Sequence, residues 1–131
     1  MREKFLAAAR RDDIAAVSIA SRPDCFGPEV IDMIKDIIAV KPVWIELGLQ
    51  TANDRTAQLI NRCYDISVYD ETMNRLRELG VHIIVHMIIG LPGETKEDMI
   101  DTVRYIVRSG ANGIKLQLLH VLRGTVLEKN V

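Results

Sequence analysis

Short β-rich runs alternate with amphipathic stretches along the chain. Four of these runs are predicted to be strands, at residues 14–21, 43–50, 81–89 and 114–120. Each of the first three is followed by a loop and then by apolar positions at helical spacing. Such an order is typical of parallel strands joined by helices. The pattern therefore predicts an α/β fold with about four parallel strands and outer helices.

Turn and capping residues set the limits of the predicted helices, which cover residues 3–10, 28–41, 54–61, 69–79 and 95–109. Pro28 suits a first helical position, and Pro42 cannot continue the helix that precedes it. Gly80 follows the fourth helix as a C-terminal cap. Thr95 and Asp98 have the spacing of a capping box at the start of the last helix.

The predicted strands have one aliphatic face and one polar or small face. In the run 43–50, alternation places Glu46 and Gln50 opposite the aliphatic side chains. A doubly wound sheet buries both faces under helices, whereas a barrel covers only its outside. We therefore predict a partial βα barrel, because four strands are fewer than the roughly six to eight that close one. The side chains expected in the lumen are Ser18, Glu46, Gln50, His86 and Gln117.

Composition narrows the possible functions. Hydrophobic residues make up 48% of the 131, charged residues 27%, and the net charge is -1 without a basic stretch. This balance argues against disorder and gives no electrostatic case for nucleic acid as an obligate partner. The apolar run 83–91 is too short to span a bilayer, so we expect a cytoplasmic protein without a membrane partner. Cys25 and Cys63 lack metal-site spacing, so no metal site is predicted.

The densest motif is the segment 86–95, in which a strand runs into a Gly-Pro-Gly turn and a helix cap. Glycines there would let a ligand approach the backbone, at the strand end where βα barrels place their chemistry. The segment is equally consistent with a tight connection that needs no ligand. His86 could pair with Glu46 for acid–base chemistry or be a hydrogen-bonded structural residue.

A second motif runs from Glu46 to Arg62. Gln50 lies on the inward face, and the Arg62 guanidinium could bind a carboxylate through two hydrogen bonds. An alternative is an internal ion pair between Glu46 and either Lys115 or Arg22, with Arg62 facing solvent at a helix end.

These segments resemble the fourth, fifth and sixth barrel strands of radical S-adenosylmethionine (SAM) enzymes, which have a TIM-like barrel. The matching segments are 46–51, 60–62, 86–95, 118–120 and 124–125. The sequence is most similar to an uncharacterised iron–sulfur oxidoreductase branch. That branch is related to the oxygen-independent coproporphyrinogen oxidases and the elongator-type radical SAM proteins.

The resemblance implies a cofactor site. Gln50 would contact the ribose of SAM, and Arg62 would contact its methionine carboxylate. Ile88 would lie against the adenine face, and the backbone near Leu118 and Leu119 would meet the adenine edge. No catalytic residue is implied.

Glu46, His86 and Gly90 complete the implied cofactor site. His86 stands where coproporphyrinogen oxidases carry an aspartate for the ribose. Ala20, with Arg22 nearby, stands where they carry an acid on the preceding strand.

Members of this family bind a [4Fe-4S] cluster through three cysteines that follow the first strand. The resemblance implies that residues 1–131 form one partial barrel domain without that segment. A longer parent protein would use the cluster to cleave SAM to a 5′-deoxyadenosyl radical, acting on an unknown small molecule or RNA. The chain alone is expected to be inactive and to bind neither SAM nor the cluster.

Two other functions are consistent with the residues. One is an aldolase-like or phosphate-binding barrel, with Lys115 as a Schiff-base lysine and the Gly93 turn as an anion nest. The other is a non-catalytic interaction module. In every case the open sheet edges favour a homo-oligomer.

Overall fold

A computed structural model describes residues 1–130 of the chain. Its strands form one parallel sheet in the order of the sequence: β1 (Val17–Ser21), β2 (Val43–Gln50), β3 (His82–Ile89) and β4 (Gly113–Leu118). In a doubly wound sheet the strand order reverses at a switch point, whereas in a barrel each strand lies beside the next. The unreversed order confirms the predicted α/β fold, part of a TIM-like barrel.

Five α-helices connect or precede the strands: α1 (Arg2–Ala9), α2 (Pro28–Ile38), α3 (Asp54–Leu59), α4 (Ile66–Glu78) and α5 (Lys96–Arg108). Short 3-10 turns lie at Pro23–Cys25 and Leu127–Asn130. Within residues 1–130, no helix combines the length and the apolar character needed to cross a membrane.

Several predicted boundaries were wrong, among them the starts of β1 and α4 and the end of β4. β1 starts at Val17 rather than at residue 14, because its pairing with β2 begins at Val43. β4 ends at Leu118 instead of residue 120, opposite the last residue of β3. α4 starts three residues before its predicted position, since Ile66 already packs against the core.

The helices cover one face of the sheet. Every second residue of β2 is buried, beginning at Val43, and the residues between them are exposed or partly exposed. The covering side chains come chiefly from α2, α4 and α5: Ile34, Ile37, Tyr69, Met73, Leu76 and Ile106. Trp44, on the other face, is 48% exposed. The sheet therefore has the aliphatic covered face and the open polar face that alternation predicted.

A β-bulge interrupts β2 near its carboxyl end. Gly48 pairs with His86, but the next paired residue, Gln50, is opposite Met87, so Leu49 is the extra residue. Gln50 has a φ of 74°, in the left-handed region that non-glycine residues seldom adopt. Bulges redirect side chains at strand ends. Here the bulge sets the direction of Gln50 at the candidate site.

Candidate functional site

A cleft of about 280 Å³ lies at the carboxyl ends of the strands. Its walls include Arg22, Gly48, Gln50, Arg62, Ile88 and Leu119. Thus four of the residues implied by the resemblance meet at one place: Gln50, Arg62, Ile88 and Leu119. The volume is near the lower limit of about 300 Å³ for small-molecule pockets. The position is the one where βα barrels bind their ligands.

Gln50 contributes an unused acceptor to this cleft. Its Oε1 is buried and has no hydrogen-bond partner among residues 1–130. Gly48 makes room for the amide, because a Cβ at that position would lie 3.0 Å from Gln50 Nε2. Buried polar atoms in proteins are nearly always hydrogen-bonded. The unpaired oxygen therefore fits a ligand that donates a hydrogen bond.

Arg62 is a buried part of the wall, with 4% of its side chain exposed. Its Nη1 donates to the carbonyl oxygen of Thr51 at 2.8 Å, and its Nε donates to that of Tyr64 at 3.2 Å. Nη2 lies 3.8 Å from an Asp54 carboxylate oxygen. The alternative in which Arg62 faces solvent was therefore wrong. Nη2 is the part of the guanidinium not committed to a backbone carbonyl.

Tyr64 is a site residue that the sequence analysis missed. Its hydroxyl donates to the carbonyl oxygen of Gly48 at 2.6 Å. The Arg62 guanidinium carbon lies 4.6 Å from the ring centroid and that of Arg22 lies 5.6 Å away, within cation–π range. Burial raises the pKa of Tyr64 to about 12, so its phenol remains a donor at neutral pH.

No local signal identified Tyr64, because it follows an irregular segment without periodicity. Asn61 and Cys63 both have positive φ, at 52° and 65°. The only indication available from the sequence was an aromatic residue two positions after Arg62.

The Gly-Pro-Gly turn contributes Leu91 to the wall of the cleft. Gly90 and Gly93 have φ of 83° and 78°, where a side chain would be strained, so the turn requires glycine at both positions. Glu94 accepts a hydrogen bond from the Thr51 hydroxyl, which connects this turn to the end of β2. The other carboxylate oxygen of Glu94 is buried without a partner among the described residues.

An apolar wall completes the cleft, formed by Ile88 and Leu91 from β3 and its turn and by Leu119 after β4. The Leu119 N–H donates to the Ile89 carbonyl oxygen at 3.1 Å and is therefore already paired. The Leu118 side chain is 68% exposed.

Glu46 is the centre of a polar cluster on the open face. Its Oε2 lies 2.7 Å from His86 Nε2 and 2.9 Å from Lys115 Nζ, and its Oε1 accepts from the Ser18 hydroxyl at 3.1 Å. Lys115, His86 and Ser18 lower the pKa of Glu46 from the usual 4.5 to about 2. Glu46 is therefore a carboxylate at neutral pH.

The contacts of this cluster decide which cation pairs with Glu46, and they weaken the Schiff-base alternative for Lys115. Of the two cations considered for Glu46, Lys115 forms the ion pair, whereas Arg22 pairs with Asp24 at 2.7 Å. The Lys115 side chain is 52% exposed. A Schiff-base lysine is usually desolvated in an apolar pocket or placed beside another cation, and neither holds here.

Within residues 1–130, no three His, Cys, Asp or Glu side chains are grouped so that they could hold a metal ion. Cys25 and Cys63 are both exposed and free.

Comparison with known proteins agrees with the fold and with these motifs. The profile of the Radical SAM superfamily matches residues 1–106. The chain is 42% identical over 129 residues to the uncharacterized protein YtqA of Bacillus subtilis, covering 98% of this chain and 40% of that protein. It is 36% identical over 132 residues to YhcC of Escherichia coli, covering 98% and 42%.

Among solved structures, the chain is similar to an N-terminally truncated Elp3 of Methanocaldococcus infernus. The TM-score is 0.77 at 21% identity, over 88% of this chain and 27% of that one. At this identity the similarity shows a shared fold. The chain spans about two-fifths of the length of the curated relatives it matches.

Proposed function

Because the chain belongs to the radical SAM superfamily, we propose that it forms the middle and late barrel strands of a SAM-cleaving enzyme. SAM, when bound with a [4Fe-4S] cluster, supplies a 5′-deoxyadenosyl radical that abstracts hydrogen from a substrate, a small molecule or RNA. In this proposal residues 1–131 form one partial barrel domain without the cluster-binding segment. The contribution of this chain is to bind and orient the nucleoside half of the cofactor.

The unpaired Oε1 of Gln50 is the observation that carries this proposal. A ribose presents hydroxyl groups, and a hydroxyl can donate the hydrogen bond that Oε1 lacks. Ile88 and Leu119 provide apolar surface in the same cleft for a flat purine. The cleft thus combines one polar contact with an apolar wall, the usual composition of a small-molecule site.

In this proposal Arg62 offers only part of its guanidinium group to the cofactor. Two of its nitrogens are used by the backbone carbonyls of Thr51 and Tyr64, so a ligand carboxylate would meet Nη2. His86 is the register partner of Gly48, which lines the cleft, and Glu46 precedes Gly48 by two residues. Gly90 lies in the turn that follows β3. Glu46, His86 and Gly90 do not line the cleft. The proposed nucleoside contacts are therefore those of Gln50, Ile88 and Leu119.

The isolated chain should bind the cofactor more weakly than a complete enzyme would. One amide contact and one apolar wall in an open lumen should hold a nucleoside no more tightly than millimolar, about -4 kcal/mol. We therefore expect the isolated chain to be inactive and to bind SAM weakly.

Calorimetry with SAM and with 5′-deoxyadenosine tests the site. We expect millimolar binding that Gln50→Leu abolishes. The matched control is Gln117→Leu, which removes an exposed lumen glutamine on β4 and should leave binding unchanged. Equal binding by the wild type and Gln50→Leu would refute the assignment of Gln50. Micromolar binding without iron would show that the nucleoside wall is sufficient by itself.

A second experiment tests the enzyme class. The complete reading frame that encodes this chain would be expressed and reconstituted with iron and sulfide. We expect the absorbance of a [4Fe-4S] cluster and reductive formation of 5′-deoxyadenosine. A complete protein that bound no cluster would contradict the proposed function, however well the strand motifs match.

A further inference from the structure

The polar cluster of Ser18, Glu46, His86 and Lys115 is not explained by nucleoside binding. His86 is the register partner of Gly48, and Gly48 lines the cleft. Glu46 precedes Gly48 by two residues on the same face of β2. His86 and Lys115 therefore lie level with Gly48 beside the cleft, and Glu46 lies two residues deeper along the open face.

Glu46 determines which nitrogen of His86 carries the proton. An ionised carboxylate only accepts hydrogen bonds, and the pKa of Glu46 is about 2. The 2.7 Å contact with Oε2 therefore requires a proton on His86 Nε2. In the neutral ring, Nδ1 is then an acceptor, and no hydrogen bond to it is present within the described part of the chain.

The surroundings of His86 suit proton transfer. Glu46 from β2 and Lys115 from β4 are the charged groups beside it, and its neighbours on the same face of β3 are Ile84 and Ile88. Lys115 Nζ meets the same Glu46 oxygen as His86 Nε2, at 2.9 Å and 2.7 Å, so the ammonium group lies on the Nε2 side of the ring. The His86 side chain is 14% exposed, so the ring is accessible but mostly shielded from water.

We propose that His86 exchanges a proton with a hydroxyl-bearing substrate in the lumen, with Glu46 as its positioning residue. This inference rests on the proposed function, since that function places a substrate beside the nucleoside. In the step, Nδ1 takes the hydroxyl proton, which gives an imidazolium and an alkoxide. The imidazolium is stabilised by Glu46, and the reverse transfer restores both groups.

Imidazole ¹⁵N NMR on the chain tests the role of Glu46. We expect one tautomer of His86, protonated at Nε2. Glu46→Gln should give a mixture of tautomers, because the amide can donate or accept. Ser18→Ala, which removes a different partner of Glu46, should leave the single tautomer unchanged. Circular dichroism of each variant checks the fold. A wild-type ring protonated at Nδ1 would overturn the proposal.

Modification with diethyl pyrocarbonate, mapped by mass spectrometry, tests access to Nδ1. His82, four residues earlier on β3, is the internal reference. We expect His86 to react at a measurable rate that does not change as 5′-deoxyadenosine fills the site measured by calorimetry. An unreactive His86, or a rate that falls in proportion to nucleoside occupancy, would overturn the substrate role, and such protection would assign the ring to the nucleoside. Neither measurement uses iron or SAM cleavage. A failure of the His86 proposal can therefore be distinguished from a failure of the proposed function.

Discussion

The Arg62 guanidinium donates a 2.8 Å hydrogen bond to the carbonyl oxygen of Thr51, the first residue after β2. This contact connects the segment after α3 to the end of the sheet, and the bond from Nε to the Tyr64 carbonyl oxygen lies within that segment. A lysine has no planar fork and cannot make both bonds in the same geometry.

We therefore expect Arg62→Lys to lower the free energy of unfolding by about 1–3 kcal/mol. Urea denaturation followed by circular dichroism measures the change. Arg55→Lys is the control, because that side chain is exposed, and it should change stability by less than about 0.5 kcal/mol. Equal effects would show that the Arg62 hydrogen bonds contribute little.

Glu46 should make stability depend on pH. Its pKa is lowered from 4.5 to about 2, so its contribution is complete above about 4.5 and is lost as pH falls toward 2. Urea midpoints from pH 7 to pH 2 should converge for the wild type and Glu46→Gln as the carboxylate becomes protonated. Other carboxylates titrate in both proteins, so the difference between the two curves is the measurement. A difference that did not change with pH would contradict the lowered pKa.

The capping box of α5 provides a local test. Thr95 accepts from the Asp98 N–H at 3.2 Å, and Asp98 accepts from the Thr95 N–H at 2.8 Å. Thr95→Ala should destabilise the protein by about 1 kcal/mol in thermal or urea unfolding. Thr95→Ser retains the hydroxyl and should stay close to the wild type. A loss of stability in the serine variant would indicate that the methyl group, not the cap, is responsible.

Gly48 should control the position of the Gln50 amide. An added Cβ would lie 3.0 Å from Nε2, closer than side chains normally pack. Gly48→Ala should therefore displace the amide and weaken the millimolar nucleoside binding seen by calorimetry. Gly113→Ala is the matched control, because its Cβ would meet only Ile84 at 3.8 Å. Unchanged binding in Gly48→Ala would show that the amide adapts.

Self-association remains a prediction. β1 and β4 form the two edges of the sheet, and Leu116 and Leu118 on β4 are 58% and 68% exposed. Sedimentation should show a dimer or higher oligomer, and Leu118→Lys should shift it toward monomer because a charge on an edge strand disfavours pairing. A wild-type monomer at high concentration would contradict this expectation.

Local sequence signals predicted the positions of the elements well. Alternation along β2 identified its covered and open faces, and Pro28 and the Thr95–Asp98 spacing located two helix starts. These features depend on residues within a few positions of one another, so the sequence predicts them without knowledge of the fold. The ends of β1 and β4 were misplaced because each depends on the strand beside it.

The candidate site was predictable only in part. The family resemblance implied that Gln50 and Ile88 lie near a ligand, and the structure brings them to one cleft. Tyr64 could not be identified, because its importance comes from a hydroxyl contact with Gly48, sixteen residues away. The burial of Arg62 was likewise hidden, since its acceptor at Thr51 is eleven residues away.

The sequence by itself determined the succession of strands and helices, the two faces of the sheet and the motifs that identify the superfamily, because all of these are periodic or contiguous. The tertiary structure decided the bulge at Leu49, the unpaired oxygen of Gln50 and the grouping of Glu46 with His86 and Lys115. Each of these depends on the register between strands that are distant in the chain. Strand register is settled only when the whole sheet packs against its helices.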